Sequence, residues 1–197
     1  DGDRLMMVDE TGKIYDGDQL VYIIAKHRQM RKVLSGGVVG TLMTNLAIEN
    51  HFKERKIPFL RANVGDRYVL ELLQEKNWQI GGEGSGHIIC RNISALQVLY
   101  ALRDSQKTLA EFTQEVVLYP QRLINVKVPP SYQWNSDNEL KELVKEAESE
   151  LKNSGRILIR SSGTEPLIRV MVEGESESRI NFWAEHIAET IKKHQQH

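Results

Sequence analysis

The pattern of apolar and polar residues changes beyond the middle of the 197-residue chain. Before about Val117, short apolar runs of the kind found in buried strands alternate with stretches in which apolar residues recur at helical spacing. This alternation predicts an α/β fold, with helices packed on a mixed or parallel sheet. The remaining pattern reads as strand, helix, strand, strand and helix. It predicts a small α+β domain after a boundary close to Pro120.

The same pattern predicts the individual elements. Strands are expected at residues 5–8, 36–43, 58–61, 116–119, 123–128, 157–159 and 167–172, and helices at 45–55, 66–75, 93–102, 108–115, 135–151 and 176–193. A further helix is expected to begin at the Asp-Gly-Asp motif of residues 16–18. Asp66 is the expected N-cap of the helix over 66–75 because its carboxylate can accept a bond from a free backbone N–H group.

Two further expectations concern side-chain exposure. Leu96, Leu99 and Leu102 recur at helical spacing and predict the apolar face of an amphipathic helix. His194 and His197 lie in a polar tail, where we expect both to be exposed and without a functional role.

The composition is typical of a soluble globular protein and excludes several functional classes. The formal net charge is −1, so the chain lacks the basic surface that nucleic-acid binding requires. No apolar run approaches the roughly 20 residues of a membrane span. The single cysteine, Cys90, rules out an internal disulfide, suits a reducing compartment and is expected to be a buried thiol. These features predict a cytoplasmic protein that binds neither nucleic acid nor membrane.

The segment from Arg160 to Arg169, Arg-Ser-Ser-Gly-Thr-Glu-Pro-Leu-Ile-Arg, joins two predicted strands. It combines three hydroxyl groups, a glycine that permits close backbone approach and a guanidinium at each end. Successive backbone N–H groups in such a turn can surround an anion, and arginine can bond two phosphate oxygens at once. The composition also fits an ordinary polar hairpin loop with two surface arginines.

A second polar segment contains four glycines around Glu83, Ser85 and His87. A carboxylate, a hydroxyl and an imidazole on one loop suit the vicinal hydroxyls of a sugar. The spacing of a dinucleotide-binding loop and the lysine of a P-loop are both absent. A glycine-rich hairpin without a ligand is the alternative interpretation.

Two shorter signals are weaker by themselves. Asp1 and Asp3, separated by one glycine and followed by Arg4, could converge on Mg²⁺, although turns also use Asp-Gly freely. The second Asp-Gly-Asp motif, at 16–18, has no apparent chemistry. Arg67 falls in the first turn of a predicted helix, where a cation is unfavourable, and this conflict hints at a functional role.

Together these segments resemble the α-D-phosphohexomutases over essentially the whole chain. The 160–169 segment resembles the phosphate-binding loop of that family, and residues 82–87 resemble its Gly-Glu-x-Ser-Gly-His sugar-binding loop. Asp1, Asp3 and Arg4 match the end of its Asp-Gly-Asp-Gly-Asp-Arg magnesium loop, whose first aspartate would precede this chain. Within the family, Val-Gly-Asp-Arg-Tyr-Val at 64–69 is typical of the bacterial phosphoglucosamine mutases.

The resemblance implies three pieces of the family fold. Residues 1–12 would end the second domain, 13–118 would form the third α/β domain, and 119–197 would form the C-terminal domain. The chain departs from the family at 90–92, where the connection to the next helix is unusually short. We expect either a real deletion or residues missing from the sequence at this point.

The resemblance also assigns the candidate site residues. Arg4 and Arg67 would be catalytic, and Asp1 and Asp3 would hold Mg²⁺. The substrate-binding residues would be Glu83, Ser85, His87, Arg160, Ser161, Ser162, Gly163, Thr164 and Arg169.

The implied activity interconverts glucosamine 6-phosphate and glucosamine 1-phosphate through a phosphoserine and a bisphosphate intermediate. This step feeds UDP-N-acetylglucosamine and cell-wall synthesis. The phosphoserine would lie in the N-terminal domains of the same enzyme, so we interpret the chain as a fragment that is inactive alone. The resemblance also admits a homodimer. Two alternatives remain open: a phosphomannomutase/phosphoglucomutase, or a non-catalytic sugar-phosphate-binding module.

Overall fold

The computed structural model describes residues 2–90, 94–162 and 165–195. The chain forms two compact units, the first ending at Leu118 and the second beginning at Tyr119. Assignment of residues 1–12 and 13–118 to separate domains stays a prediction. Several predicted features lie outside the described residues, namely Asp1, residues 91–92 of the short connection, Gly163, Thr164 and His197.

The first unit contains a strand pair and a layer of helices on a sheet. In chain order its elements are β1 (Met7–Val8), β2 (Ile14–Tyr15), α1 (Gly17–Met30), β3 (Val38–Thr41), α2 (Leu46–Glu54), β4 (Phe59–Ala62), α3 (Asp66–Lys76), β5 (Ile80–Gly82), β6 (Ile88–Cys90), α4 (Ser94–Ser105) and α5 (Leu109–Phe112). The sheet has the order β4-β3-β5-β6. β3 runs parallel to β4 and β5, and β6 is antiparallel to β5, which confirms the predicted mixed sheet.

Helix α1 lies at the centre of the first unit. Asp16 begins it with a capping box, in which its side chain accepts from the Gln19 backbone N–H and the Gln19 side chain accepts from the Asp16 backbone N–H. Residues 17–27 of α1 are all buried, because β5, α2 and α4 surround the helix. The prediction that a helix begins at this Asp-Gly-Asp motif is confirmed.

The start of α3 differs from the prediction. Gly65, with φ +131°, is the N-cap residue, and Asp66 is the first helical residue. The Asp66 carboxylate accepts a bond from the backbone N–H of its neighbour Arg67 (2.8 Å). A glycine was needed at the cap because this backbone conformation is strained for other residues.

The exposed face of α4 also contradicts the sequence expectation. Leu96 and Leu99 are 56% and 52% exposed, whereas Val98 and Ala101 are fully buried. Helix α4 packs on α1, and the smaller side chains of Val98 and Ala101 allow the two helices to approach closely. The expectation is therefore wrong for Leu96 and Leu99, whereas Leu102 is partly buried and packs against the core.

Two other expectations in the first unit are wrong. Cys90 is half-buried on β6, an edge strand of the sheet, rather than fully buried. Residues 116–119 are all described and form no strand. Val116 packs into the core, while Val117 is 75% exposed. The segment continues into the second unit without pairing to a strand.

The second unit has the predicted order of elements. These are β7 (Gln121–Lys127), α6 (Asn138–Leu151), β8 (Gly155–Ser161), β9 (Leu167–Gly174) and α7 (Glu177–His194). The sheet order is β7-β9-β8, and both pairings are antiparallel. Helices α6 and α7 bury apolar stripes against the sheet, with Leu140, Ala147, Trp183 and Ile187 in the core.

The beginning of α6 and the end of α7 are tied together. Asp137 is the N-cap of α6, and its carboxylate also lies 2.5 Å from Nδ1 of His194 at the end of α7. The Nε2 atom of His194 lies 3.3 Å from Glu139 Oε2. His194 is therefore a half-buried partner of two carboxylates, and the expectation that it is exposed is wrong.

None of the helices in the described part of the chain combines the length and the apolar character that crossing a membrane requires.

Candidate functional site

The sheet of the first unit has a switch point between β3 and β5. The chain passes from β3 to β4 on one side and then returns to β5 on the other side of β3. In open α/β sheets, ligands bind beyond the carboxyl ends of the strands at such a point. Two segments lie there: residues 42–45, which follow β3 and are called here the β3 turn, and residues 83–87, which follow β5 and are called here the glycine loop.

The glycine loop holds three of the predicted site residues in contact. Glu83 is 8% exposed, and its Oε1 accepts bonds from Ser85 Oγ (2.8 Å) and His87 Nδ1 (3.0 Å). The backbone closes on itself, since the Glu83 N–H donates to the His87 carbonyl and the Gly86 N–H to the Glu83 carbonyl (both 3.0 Å). Gly86 adopts φ +96°, which requires glycine. The loop thus presents a fixed set of sugar-compatible polar groups.

The N-terminal segment lies against this loop. The Leu5 N–H donates to the Gly86 carbonyl (2.9 Å), and a Cβ atom at Gly86 would lie 2.8 Å from the Leu5 carbonyl oxygen. The same approach brings Asp3 Oδ2 to 2.9 Å from His87 Nε2. Arg4 is exposed beside the loop. The structure therefore brings Asp3 together with Glu83, Ser85 and His87.

Electrostatic coupling follows from these contacts. The bonds to Glu83 and then Asp3 raise the pKa of His87, because both carboxylates favour the imidazolium form. The bond from His87 in turn lowers the pKa of Asp3. His87 consequently links the sugar-compatible loop to one of the two aspartates predicted to hold a metal.

Arg67 stays apart from this cluster in its side-chain contacts. It is exposed in the first turn of α3, and its Nε donates to Glu71 Oε1 at 2.8 Å, one turn further along the helix. Helix α3 follows β4, so Arg67 lies at the same edge of the sheet as the glycine loop. The i, i+4 ion pair with Glu71 explains the position of the Arg67 side chain without a bound ligand.

In the second unit, the two predicted phosphate-binding arginines lie directly opposite each other. Arg160 of β8 pairs in register with Arg169 of β9. Like charges at directly opposed positions on an antiparallel pair are unfavourable. Among the described residues, the buried Nε of Arg169 has no hydrogen-bond acceptor. Burial, together with the charge of Arg169, lowers the pKa of Arg160. We call these two residues the arginine pair.

The connection between β8 and β9 forms a hairpin with a cavity beside it. Ser162 donates its backbone N–H to the Leu167 carbonyl (2.9 Å), and Leu167 donates to the Glu165 carbonyl (2.8 Å). The cavity has a volume of about 320 Å³ and is lined on one side by Ser161, Ser162 and Glu165. Its other side includes Tyr132, whose hydroxyl donates to Asp137 (3.0 Å).

The sequence interpretation missed two residues. Asn125 of β7 lies opposite Arg169, on the other side from Arg160, and is exposed on the same face of the sheet. Asp18, in the motif without apparent chemistry, is a buried carboxylate next to the glycine loop. The sequence contained no signal for Asn125, because the register in which β7 pairs with β9 cannot be read from the sequence. The repeated Asp-Gly-Asp motif indicated a helix start and no further role for Asp18.

Comparison with protein families matches both units. The family model for phosphoglucomutase/phosphomannomutase alpha/beta/alpha domain III covers residues 16–119, and that for the phosphoglucomutase/phosphomannomutase C-terminal domain covers residues 123–190. The chain belongs to the phosphoglucomutase/phosphomannomutase family. The glycine loop falls within the first match, and the arginine pair falls within the second.

Curated members of the family are similar over almost the whole chain. The phosphoglucosamine mutase of Nitrosospira multiformis is 61% identical over 200 residues, which cover 98% of this chain and 43% of that protein. The phosphoglucosamine mutase of Nitrosomonas europaea is 59% identical over 201 residues, covering 98% and 44%. The chain therefore spans less than half the length of the curated family members it matches.

Solved structures of the family share the fold. The Aspergillus fumigatus N-acetylphosphoglucosamine mutase, in complex with GlcNAc-6P and magnesium, aligns with a TM-score of 0.77 at 20% identity, over 98% of this chain and 47% of that one. A phosphoglucomutase/phosphomannomutase family protein from Burkholderia thailandensis aligns with a TM-score of 0.69 at 17% identity, over 98% and 45%. At these identities the likeness shows the fold alone.

Proposed function

We propose that this chain is the C-terminal portion of a cytoplasmic phosphoglucosamine mutase, an isomerase that interconverts glucosamine 6-phosphate and glucosamine 1-phosphate. The glycine loop would hold the sugar hydroxyls through Glu83, Ser85 and His87. The hairpin would hold the phosphate group that is not being transferred. Its ligands would be Arg160, Ser161, Ser162, Gly163, Thr164 and Arg169.

The geometric observation that carries the proposal is the arginine pair. Two guanidinium groups lie opposite each other, and the buried N–H of one of them has no acceptor among the residues that the structure describes; a bound anion would stabilise this arrangement. A phosphate oxygen supplies the missing acceptor, and a phosphate dianion offsets both charges. Identity of 50–61% to phosphoglucosamine mutases favours a glucosamine phosphate over other sugar phosphates.

The chemistry assigned to these residues is positioning and charge stabilisation, which dominate phosphoryl transfer. Glu83 and Ser85 would orient the sugar so that the hydroxyl to be phosphorylated faces the reacting phosphoryl group. Arg4, exposed beside the glycine loop, would stabilise negative charge on that group. Arg67 would need to leave Glu71 to take part, and its exposure permits that movement.

The proposal includes Mg²⁺ held by Asp1 and Asp3. In the described residues no group of three His, Cys, Asp or Glu side chains is placed to hold a metal ion. Asp3 fits as one ligand, since its exposed carboxylate offers the oxygen donors that Mg²⁺ prefers. The ion, when bound, would offset charge on the phosphoryl group. The remaining ligands would come from Asp1 and from residues that precede this chain.

The N-terminal domains of the same enzyme would supply the phosphoserine. The apolar side chains of Met6, Val8 and Ile14, on or beside the strand pair β1–β2, are 48%, 58% and 64% exposed. Exposed apolar side chains of this kind favour the packing of another segment of the enzyme on this surface. We therefore expect this chain to be inactive alone. Size-exclusion chromatography of the complete enzyme would test the homodimer that the family resemblance admits.

Isothermal titration of this chain with glucosamine 6-phosphate tests the proposal. We expect binding that Arg160→Ala and Glu83→Ala each weaken, while the exposed controls Arg179→Ala and Glu146→Ala bind like the wild type. Equal or tighter binding of mannose 6-phosphate or glucose 6-phosphate would favour a sister enzyme. If the complete protein showed no mutase activity, the alternative of a non-catalytic sugar-phosphate-binding module would be favoured. Binding that survives both site substitutions would place the ligand elsewhere.

A further inference from the structure

The Asp-Gly-Asp motif at residues 16–18 has a buried carboxylate that capping of α1 does not use. Asp16 caps the helix, whereas Asp18 is 5% exposed and takes no part in the capping box. Oδ1 accepts from the Thr44 hydroxyl (3.2 Å) and Oδ2 from the Asn45 N–H (2.9 Å). Both donors belong to the β3 turn. Asp18 therefore fixes one of the two segments at the switch point.

The residue next to Asp18 contacts the other segment. A Cβ atom built on Gly84 would lie 3.5 Å from Asp18 Oδ2, so the carboxylate lies close to the glycine loop, and Gly17 makes the direct contacts. The Gly17 N–H donates to the Gly84 carbonyl (3.3 Å). A Cβ atom at Gly17 would lie 2.1 Å from the Glu83 carbonyl oxygen. The start of α1 is thus in direct contact with the backbone of the glycine loop.

The β3 turn is itself held firmly, which makes it a suitable anchor. Arg61 donates from Nη1 to the carbonyls of Thr41 and Thr44 (both 2.8 Å) and is paired with Glu49. The Thr44 hydroxyl also accepts from the Thr41 N–H (2.9 Å). The β3 turn is therefore fixed by Arg61 and by Asp18.

A carboxylate at this position is costly. Burial raises the pKa of Asp18 to about 7, and the charge of Asp16 adds to the increase, while the bonds from Asn45 and Thr44 oppose it. An apolar side chain would avoid this cost but would leave the Asn45 N–H without its acceptor.

We propose that Asp18 is a positioning residue, which joins the β3 turn to the glycine loop and sets the place at which Glu83 and Ser85 meet the ligand. The role for a sugar ligand rests on the proposed function, and the joining of the two segments does not. Asp18 touches no reacting atom in this assignment. It acts through the start of α1, where Gly17 is in direct contact with the backbone of the glycine loop.

Hydrogen exchange of the unliganded chain tests the joining of the two segments. We compare the wild type with Asp18→Ala, Asp18→Asn and Asp16→Ala. Asp16→Ala is the matched control, because it removes the other acid of the same motif, the one that caps α1. Asp18→Ala should speed exchange in residues 42–45 and 83–87 together, by roughly 10-fold. Asp18→Asn keeps an oxygen for the Asn45 N–H and should have a smaller effect. Asp16→Ala should affect mainly the first turn of α1.

Ligand titration tests the positioning role. Asp18→Ala should weaken glucosamine 6-phosphate binding by about 10-fold, a difference of about 1.4 kcal/mol. Its affinity for inorganic phosphate should not change, since that probe does not need Glu83 or Ser85. In the complete enzyme, KM should rise more than kcat falls.

Unchanged exchange at 83–87 in Asp18→Ala, or an equal increase in Asp16→Ala, would overturn the inference whatever the ligand. Should Asp18→Ala fail to fold, Asp18→Asn decides the question, and exchange like the wild type in both segments would count against it. A wild-type chain that binds no sugar phosphate would overturn the proposed function, while the exchange result would still decide whether Asp18 joins the two segments.

Discussion

The two candidate clusters balance their charges in different ways. In the glycine loop, each charged group has an internal partner: Glu83 accepts from Ser85 and His87, and His87 also reaches Asp3. In the hairpin, Arg160 and Arg169 face each other, and the buried Nε of Arg169 has no acceptor among the described residues. The first cluster is organised without a ligand. The second is arranged so that an anion would stabilise it.

This difference predicts opposite relations between binding and stability. Removing a group from the glycine loop breaks bonds that also stabilise the fold, so affinity and stability should fall together. Removing a guanidinium from the arginine pair relieves a repulsion, so affinity should fall while stability does not. Substitutions in the two clusters can therefore test whether the hairpin is a binding device or an ordinary polar turn.

The largest effect is expected for Arg160→Ala. Hydrogen bonds to a charged group contribute about 1.5–3 kcal/mol, so loss of this guanidinium should weaken inorganic phosphate binding by roughly 100-fold. The free energy of unfolding should stay the same or increase. Calorimetry and urea unfolding measure the two quantities, with the exposed Arg179→Ala as the control. A variant that binds phosphate normally but unfolds more easily would identify the arginine pair as structural.

A smaller effect on affinity, with a loss of stability, is expected for Glu83→Ala. Its removal takes away the carboxylate acceptor of the Ser85 hydroxyl and of His87 Nδ1, so we expect the free energy of unfolding of the first unit to fall by about 1–2 kcal/mol. Glucosamine 6-phosphate binding should weaken by about 30-fold, and inorganic phosphate binding should change little. Urea unfolding and calorimetric titration measure the two effects, with the exposed Glu146→Ala variant as the control. A stable variant with normal sugar-phosphate affinity would show that the glycine loop is not part of the binding site.

The sequence predicted more of the fold than of the contacts inside the site. Hydrophobic periodicity predicted a mixed or parallel sheet in the first unit and the order of elements along the chain in the second, because each element must bury one face. It failed for residues 116–119, where β-branched residues continue into a connection without a partner strand. It also failed for Leu96 and Leu99, because spacing identifies an apolar face without showing which neighbour that face meets.

Site geometry depended on information that the sequence does not contain. The Arg160–Arg169 pairing is a consequence of hairpin register, and a slip of one residue would place the two side chains on opposite faces. Asp18 resembled an ordinary acid in the first turn of a helix, where a carboxylate is favourable. Only its burial and its bonds from Thr44 and Asn45 distinguish it.

Asn125 gives a weaker test of the hairpin as a binding surface. It lies opposite Arg169, so its amide could add one neutral hydrogen bond to an anion held by the arginine pair. Such a bond contributes about 0.5–1.5 kcal/mol, and Asn125→Ala should weaken phosphate binding by roughly 3- to 10-fold without a change in stability. Gln121→Ala, at the other end of the same strand, is the control. Equal affinities for the two variants would limit the anion site to the arginines.

The smallest effect should distinguish two histidines that have similar surroundings. His87 lies between Glu83 and Asp3, and His194 lies between Asp137 and Glu139. The carboxylates raise the pKa of both, chiefly through Glu83 for His87 and Asp137 for His194. Their stabilising contribution is therefore complete below the unfolded pKa of about 6.5 and is lost as pH rises through the folded values. Exposed pairs of this kind contribute little to the free energy of unfolding.

Ligand binding should separate these two groups, since only His87 belongs to a candidate site. NMR titration of the imidazole Cε1 protons follows each histidine, with His87→Gln and His194→Gln to assign the signals. Glucosamine 6-phosphate should shift the pKa of His87, because a ligand that engages Glu83 weakens the bond which raises that pKa. His194 should titrate as before. A shift at both histidines would indicate a general charge effect of the ligand, and a shift at neither would mean that the sugar does not reach Glu83.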